Sequence, residues 1–392
     1  MSLTLYLAQI IGIALVLLVL VRQQSWVLQA QVIVWSIATA ALALRFGLAG
    51  QLHFYSNDQV YYHEVVRTFS ENLLLIDVDW WMTSTRFPYT LPAVALHGAG
   101  IEPALALKTV SLVCLLLLTR EILSAVRPFS RKAAVFSLLL TACGTIGLFY
   151  SALALRETMM MLLTTRFVRT TSPVSRLIVA LLLLVLRPHL AASLVVGALL
   201  VWVYHHLRTT RTETVLTVAT AIVGGSLIGW WLFSYGTVFT SGIQGFYSRS
   251  WGISQITRIA SNHFGVQFLT ARSETVEFSL LSLLLLRLIL IETILIPSFF
   301  TLLVITRPQL LNRQRMFIVT SFAIYVGLVT NTDFNSFRQN IAFMPVMGLA
   351  VLSMIGGIPR AMALQNDSLA NARRSSMSGP ARDESTIPHV TI

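Results

Sequence analysis

Leu3–Val21 reads LTLYLAQIIGIALVLLVLV, nineteen residues without a charge. At 1.5 Å per residue a helix of that length covers about 28 Å, close to the hydrocarbon thickness of a bilayer. A second apolar run, Val27–Gly47, follows almost at once. The first run has neither a basic segment before it nor a small-residue cleavage site after it, so it is expected to remain as a span. Further runs lie at Pro103–Leu118, Ala133–Ser151, Thr158–Val168, Leu177–Leu186, Leu190–Tyr204, Val215–Ser234, Phe278–Ile305, Met316–Thr330 and Asn340–Ile358. This pattern predicts an all-α, polytopic integral membrane protein with about 10–11 transmembrane helices.

Composition points the same way. Only 11% of the 392 residues are charged, against about 25% in soluble domains. Cys114 and Cys143 both fall inside apolar runs, which indicates neither a disulfide framework nor a thiolate metal site. The net charge of +12 would suit a nucleic-acid partner, but its distribution argues against one. With the N-terminus outside, the cytoplasmic side collects 17 basic residues and five acids, which accounts for the whole excess. The positive-inside rule demands that asymmetry, so the basicity records topology. The expected location is a cell membrane, with the N-terminus outside and the C-terminus cytoplasmic. Residues 1–358 form the transmembrane domain, with outer loops at 48–102 and 235–277. Residues 359–392, rich in Ser, Arg, Asn and Pro, read as a disordered cytoplasmic tail.

The first outer loop opens on a helix that Ser56 or Asn57 can cap, with Asp58 in its first turn, where the helix dipole favours an anion. Helical spacing sets Asp58, Tyr61, Tyr62, Val65 and Phe69 on one stripe and turns His63, Glu64, Arg67 and Glu71 away from it. The helix is expected to lie in the interface. A second interfacial piece carries Asp77, Asp79, Trp80 and Trp81, and the tryptophans and tyrosines read as an aromatic belt. Arg86-Phe87-Pro88-Tyr89 follows, then Leu91–His97, which is too short to span and ends at Gly98 and Gly100.

Three polar breaks between later spans face the same side. They are Arg156-Glu157, Arg187-Pro188-His189 and the turn holding Asp333 and Arg338. Charged groups at membrane depth are costly, so they mark function or pair with one another. Arginine offers a planar fork of donors suited to phosphate, and a carboxylate at the mouth of such a site can take a proton from a hydroxyl. Asp58 is therefore the candidate general base. Arg156, Arg187 and Arg338 are the candidate phosphate ligands, with Glu157, His189, Arg86 and Asp333 in support. Each also has a plainer role open to it. Asp58 suits a helix start, Arg187 a proline kink, Arg156-Glu157 a local ion pair and Arg338 a topogenic flank. No cofactor and no metal site is expected. A divalent metal stays open because Asp77-x-Asp79 matches a short DxD pattern.

Leu44-Arg45-Phe46-Gly47 followed by Asn57-Asp58-Gln59-Val60-Tyr61-Tyr62 resembles the entry of EpsG- and Wzy-like polysaccharide polymerases. Arg156-Glu157 heading a short span, the polar turn ending in His189, and Phe337-Arg338 before Pro345 fit the same layout. The outer-loop Asp, two interfacial helices and Arg86-Phe87-Pro88-Tyr89-Thr90-Leu91-Pro92 look more broadly like the GT-C glycosyltransferase class. The resemblance covers about Leu3–Ile358 as order and spacing. It implies transfer of a sugar or oligosaccharide from a polyprenyl-phosphate-linked donor to an extracytoplasmic glycan or other acceptor, as a polymerase or a single-sugar transferase. A transporter or flippase with arginines along its path is the alternative, though such proteins favour paired halves with matching broken helices. No second copy of the Asp58 loop or of Arg187-Pro188-His189 stands in the sequence.

Overall fold

In the computed structural model the residues described are 2–53, 57–71, 86–126, 137–138, 141–207, 280–308, 311–329 and 337–355. Of these, 46–53, 57–58, 70–71, 205–207, 280–290, 327–329 and 337–339 are described as backbone alone. Every regular element among the described residues is helical. The expected span Val215–Ser234, the second interfacial piece and the C-terminal tail lie outside them, as does Asp333.

Helix α1 (Leu3–Val21) coincides with the first expected span, and the Ser2 hydroxyl caps it by accepting the Leu5 N–H at 3.3 Å. Helix α2 (Trp26–His53) continues past Gly47. The loop that follows carries α3 (Asn57–Glu71) and α4 (Phe87–Gly98), and α5 (Pro103–Val126) returns through the bundle. Leu3–Val21, Trp26–Arg45 and Pro103–Val126 are long and apolar enough to cross a membrane. Tyr6, Ile10, Trp35, Leu105, Leu112 and Leu116 form one buried seam among these helices. The other side of α1 shows Leu5, Ile11, Leu15, Val16, Val19 and Leu20 at 52–64% exposure. Water would not tolerate so broad an apolar face; acyl chains would.

The continuous span expected over Ala133–Ser151 is broken. A turn at residues 141–144, with Ala142 at φ +57°, separates Ser137–Leu138 from α6 (Thr145–Ala152). Backbone groups freed in such a break need partners from elsewhere in the bundle. Gln31 Nε2 donates to the Cys143 carbonyl at 2.8 Å. The Glu292 carboxylate accepts the N–H groups of Thr145 at 2.7 Å and Ile146 at 2.9 Å. An acid in α10 (Leu280–Thr306) thus caps the positive end of a helix 146 residues earlier in the chain.

Short helices follow where the two short spans were expected, α7 (Glu157–Arg169) and α8 (Pro173–Leu186), and the longer α9 (Pro188–Leu207) comes next. Helix α11 (Arg313–Val329) lies against α9, and Gly197 permits the approach. A Cβ there would stand 3.0 Å from both Cα and Cβ of Ser321. The last expected span opens as a 3₁₀ segment, Phe337–Phe343, before α12 (Met344–Met354). Proline at position 345 sits in the first turn of α12, where its missing N–H costs nothing.

Candidate functional site

The site is built around the end of α8. Residues preceding proline avoid the α region, so Arg187 adopts extended backbone at φ −160°, ψ 92°, and α9 restarts on Pro188. Stopping a helix leaves its last carbonyls without intrahelical donors. Leu183 O takes the Arg187 N–H at 2.6 Å. Val185 O receives Arg86 Nη1 at 3.4 Å, and Leu186 O receives Arg156 Nη1 at 3.1 Å. The Arg187 guanidinium carbon stands 5.9 Å from the Tyr325 ring centroid. Two guanidiniums, from the residue ahead of α4 and from the α6–α7 corner, therefore meet at one negative helix end, which favours cations, and a third leaves the same α8–α9 break towards Tyr325.

The surroundings are half-buried. Arg86, Arg156, Arg187 and His189 are all partly covered, whereas Glu157 is 1% exposed at the first position of α7. Tyr325 lies within electrostatic reach of Arg187, Arg156 and Glu157 together, and Tyr89 within reach of Glu157. Arg156 Nε is buried with no hydrogen-bond partner among the described residues.

The turn ahead of Arg156 ties this centre to the first loop. Ala154 sits at φ +57°, a strained value for a residue with a Cβ. Its flanking carbonyls are both taken. Gln59 Nε2 donates to Leu153 O, and Ser111 Oγ donates to Leu155 O at 3.0 Å. Tyr89 joins the network through Ser111 Oγ at 2.9 Å. Gln59 follows Asp58 directly, so the first turn of α3 is fastened next to the turn preceding Arg156.

Some expectations change. On α3 the packed face comprises Gln59, Tyr62, Val65, Val66 and Phe69, while Tyr61 is 37% exposed. The stripe is rotated because Gln59 finds a carbonyl to bond. Tyr62 and Tyr89 meet edge to face at 5.4 Å in the core, so Tyr62 does not belong to an interfacial belt. His63 faces the bundle, with Nε2 3.5 Å from Glu102 Oε1. Burial by itself would raise the Glu102 carboxyl, but His63 and the N–H groups of Leu105 and Ala104 outweigh it and hold the group below its ordinary range. Gln9 completes this corner, donating to Gly100 O at 2.8 Å and accepting the Glu102 N–H at 3.1 Å.

Of the residues singled out in the sequence, Arg156, Arg187, Arg86, Glu157 and His189 come together. The backbone of Arg338 lies in the 3₁₀ segment that packs on α7, and that of Asp58 begins α3. Ser111 and Tyr325 were missed, since isolated polar residues in apolar runs carry no periodic signal, and Gln59 and Tyr89 stood in quoted motifs without being given a role. Among the described residues no three His, Cys, Asp or Glu side chains are grouped as a metal site would need. Helical, apolar and broken at charged points, the fold defines an all-α membrane protein. No protein-family model matches the chain, nor does any curated protein or solved structure.

Proposed function

We propose that this chain is a membrane glycosyltransferase of GT-C type, moving a sugar or oligosaccharide from a polyprenyl-phosphate or -pyrophosphate donor to an extracytoplasmic acceptor. The observation that carries the reading is the meeting of Arg86, Arg156 and Arg187 at the α8–α9 break. Arg156 spends one of its donors on Leu186 O, and its buried Nε has none of the described residues as partner. A phosphate oxygen is the kind of acceptor that such a nitrogen lacks.

In this mechanism Asp58 takes the proton of an acceptor hydroxyl as its oxygen bonds to the anomeric carbon. The bond from that carbon to the phosphate oxygen breaks, and the electron pair leaves with the phosphate. Arg156, Arg187 and Arg338 stabilise the charge that develops there, with Arg86 beside them. Glu157 and His189 set the local field, and Gln59 fastens the first turn of α3, to which Asp58 belongs, beside the turn preceding Arg156.

Binding of a polyprenyl pyrophosphate to the full chain in nanodiscs tests the reading. Its affinity should exceed that of the matching polyprenol at least tenfold. Arg187→Lys should erase most of that preference, because an ammonium keeps the charge but loses the fork. Equal binding of phosphate and alcohol would sink the proposal. Movement of the donor between leaflets with its headgroup unchanged would point to a flippase.

A further inference from the structure

The opposite end of α7 carries a second arginine cluster that the transfer reaction does not use. Arg166 and Arg169 both reach Glu121, at 3.4 Å and 2.9 Å. Arg176 Nε donates to Thr170 O at 2.9 Å, and Gln314 Nε2 donates to Val168 O at 3.4 Å. These bonds bring the start of α8 and the start of α11 to the last residues of α7. Arg313, next to Gln314, is thereby brought to the same end of α7 as Arg176, and the two like charges act on each other. Both are exposed, and among the described residues no carboxylate pairs with either.

Two exposed like charges, on the helix starts that these bonds gather at one end of α7, form a receptor for an anion. What lies next to them narrows the anion. Val174, Leu177, Ile178 and Leu181 recur at helical spacing along α8 and are 54–65% exposed. An apolar stripe therefore leads from the arginines along the helix towards the α8–α9 break. A ligand with an anionic head and an acyl chain matches both features, and a free phosphate matches only one. The charge pattern of the sequence assigns this end to the cytoplasmic side, where anionic lipids collect basic residues.

We propose that Arg176 and Arg313 bind the phosphate of an anionic phospholipid whose acyl chain lies along Val174, Leu177, Ile178 and Leu181. The site stands apart from the proposed transfer centre and does not depend on it.

The test uses the full chain in nanodiscs of phosphatidylcholine with and without phosphatidylglycerol, with retained lipid counted by native mass spectrometry. Wild type should retain phosphatidylglycerol in preference. Arg176→Gln with Arg313→Gln should weaken that retention about twenty-five-fold, each interfacial arginine contributing roughly a factor of five. Arg22→Gln with Arg307→Gln removes the same charge elsewhere and should leave retention within about twofold. Undiminished retention in the first double variant, or equal loss in the second, overturns the site. Displacement of the lipid by inorganic phosphate would assign the arginines to a free anion instead. On wild-type protein, a phosphatidylglycerol with a diazirine in its chain should label residues 174–181; labelling confined to other helices would also overturn the proposal.

Discussion

Arg156 and Arg169 stand at the two ends of α7 and are held in opposite ways. Arg156 gives Nη1 to a backbone carbonyl of α8 and leaves Nε buried without a partner among the described residues. Arg169 gives Nη1 to a carboxylate oxygen of Glu121 at 2.9 Å, and Arg166, 54% exposed, approaches the same acid. Where an acid answers the arginines, their charge is already balanced, since Arg166 and the mostly covered Arg169 share Glu121. Where a helix end answers them, partial charges balance full ones, and capacity for an anion remains. The Arg156 end is therefore the functional one in the proposed reaction, and substitutions at the two ends should behave differently.

The largest difference should appear in turnover. Asp58→Asn keeps the shape of the side chain and removes the base, so transfer should slow by about 10²–10⁴ while donor affinity changes little. Arg169→Gln, at the far end of α7, should leave transfer within about twofold, since its charge is spent on Glu121, away from the proposed centre. Steady-state transfer on the two purified variants checks both. Full activity in Asp58→Asn would remove the base from the mechanism.

Between the two ends, Glu292 tests whether the broken fourth span is a built feature. Glu292→Ala leaves the Thr145 and Ile146 N–H groups without their shared acceptor and should cost about 2–4 kcal/mol. Glu292→Gln retains one acceptor oxygen and should cost about half as much. Thermal unfolding in detergent measures both; a silent Glu292→Ala would mean that the break is held by Gln31 alone.

Arg156→Gln and Arg166→Gln bring the comparison to matched substitutions. The first strands the buried Leu186 carbonyl and should destabilise by about 1–3 kcal/mol. The second should stay below about 1 kcal/mol, because Arg166 is mostly exposed and Arg169 still holds Glu121. Equal effects would erase the distinction between the ends.

Much of this architecture was legible in the sequence. The limits of α1 came out to the residue because nineteen uncharged apolar residues admit few alternatives, and Arg187-Pro188 announced its break through proline sterics. The break at residues 141–144 was not legible. Its support comes from Gln31 and Glu292, both far away in the chain, and hydropathy registers neither bond. The rotated face of α3 was missed for the same reason, since Gln59 looks polar until Leu153 O stands opposite it. Arg86 shows the middle case. Its loop position was read, but not the left-handed φ of 52° that starts α4.

The smallest expected effect concerns the corner that fastens α3 to α5. Glu102 Oε2 accepts the Leu105 N–H at 2.8 Å while Oε1 faces His63. Burial raises the carboxyl and these partners lower it further, so its folded value lies below the unfolded value near 4.5. A depressed carboxyl contributes stability that is in place above the unfolded value and is lost as pH falls through the folded one. Wild type should therefore lose melting temperature between pH 5.5 and 3.5. Glu102→Gln should lack about one to two degrees of that loss, since the amide still accepts from Leu105 but does not titrate. Other acids contribute equally to both curves, so the difference between the two proteins isolates Glu102. A difference of opposite sign, with Glu102→Gln falling faster in acid, would mean that burial rather than the His63 contact sets the carboxyl, and that α3 is held to the bundle by Gln59 and its apolar face alone.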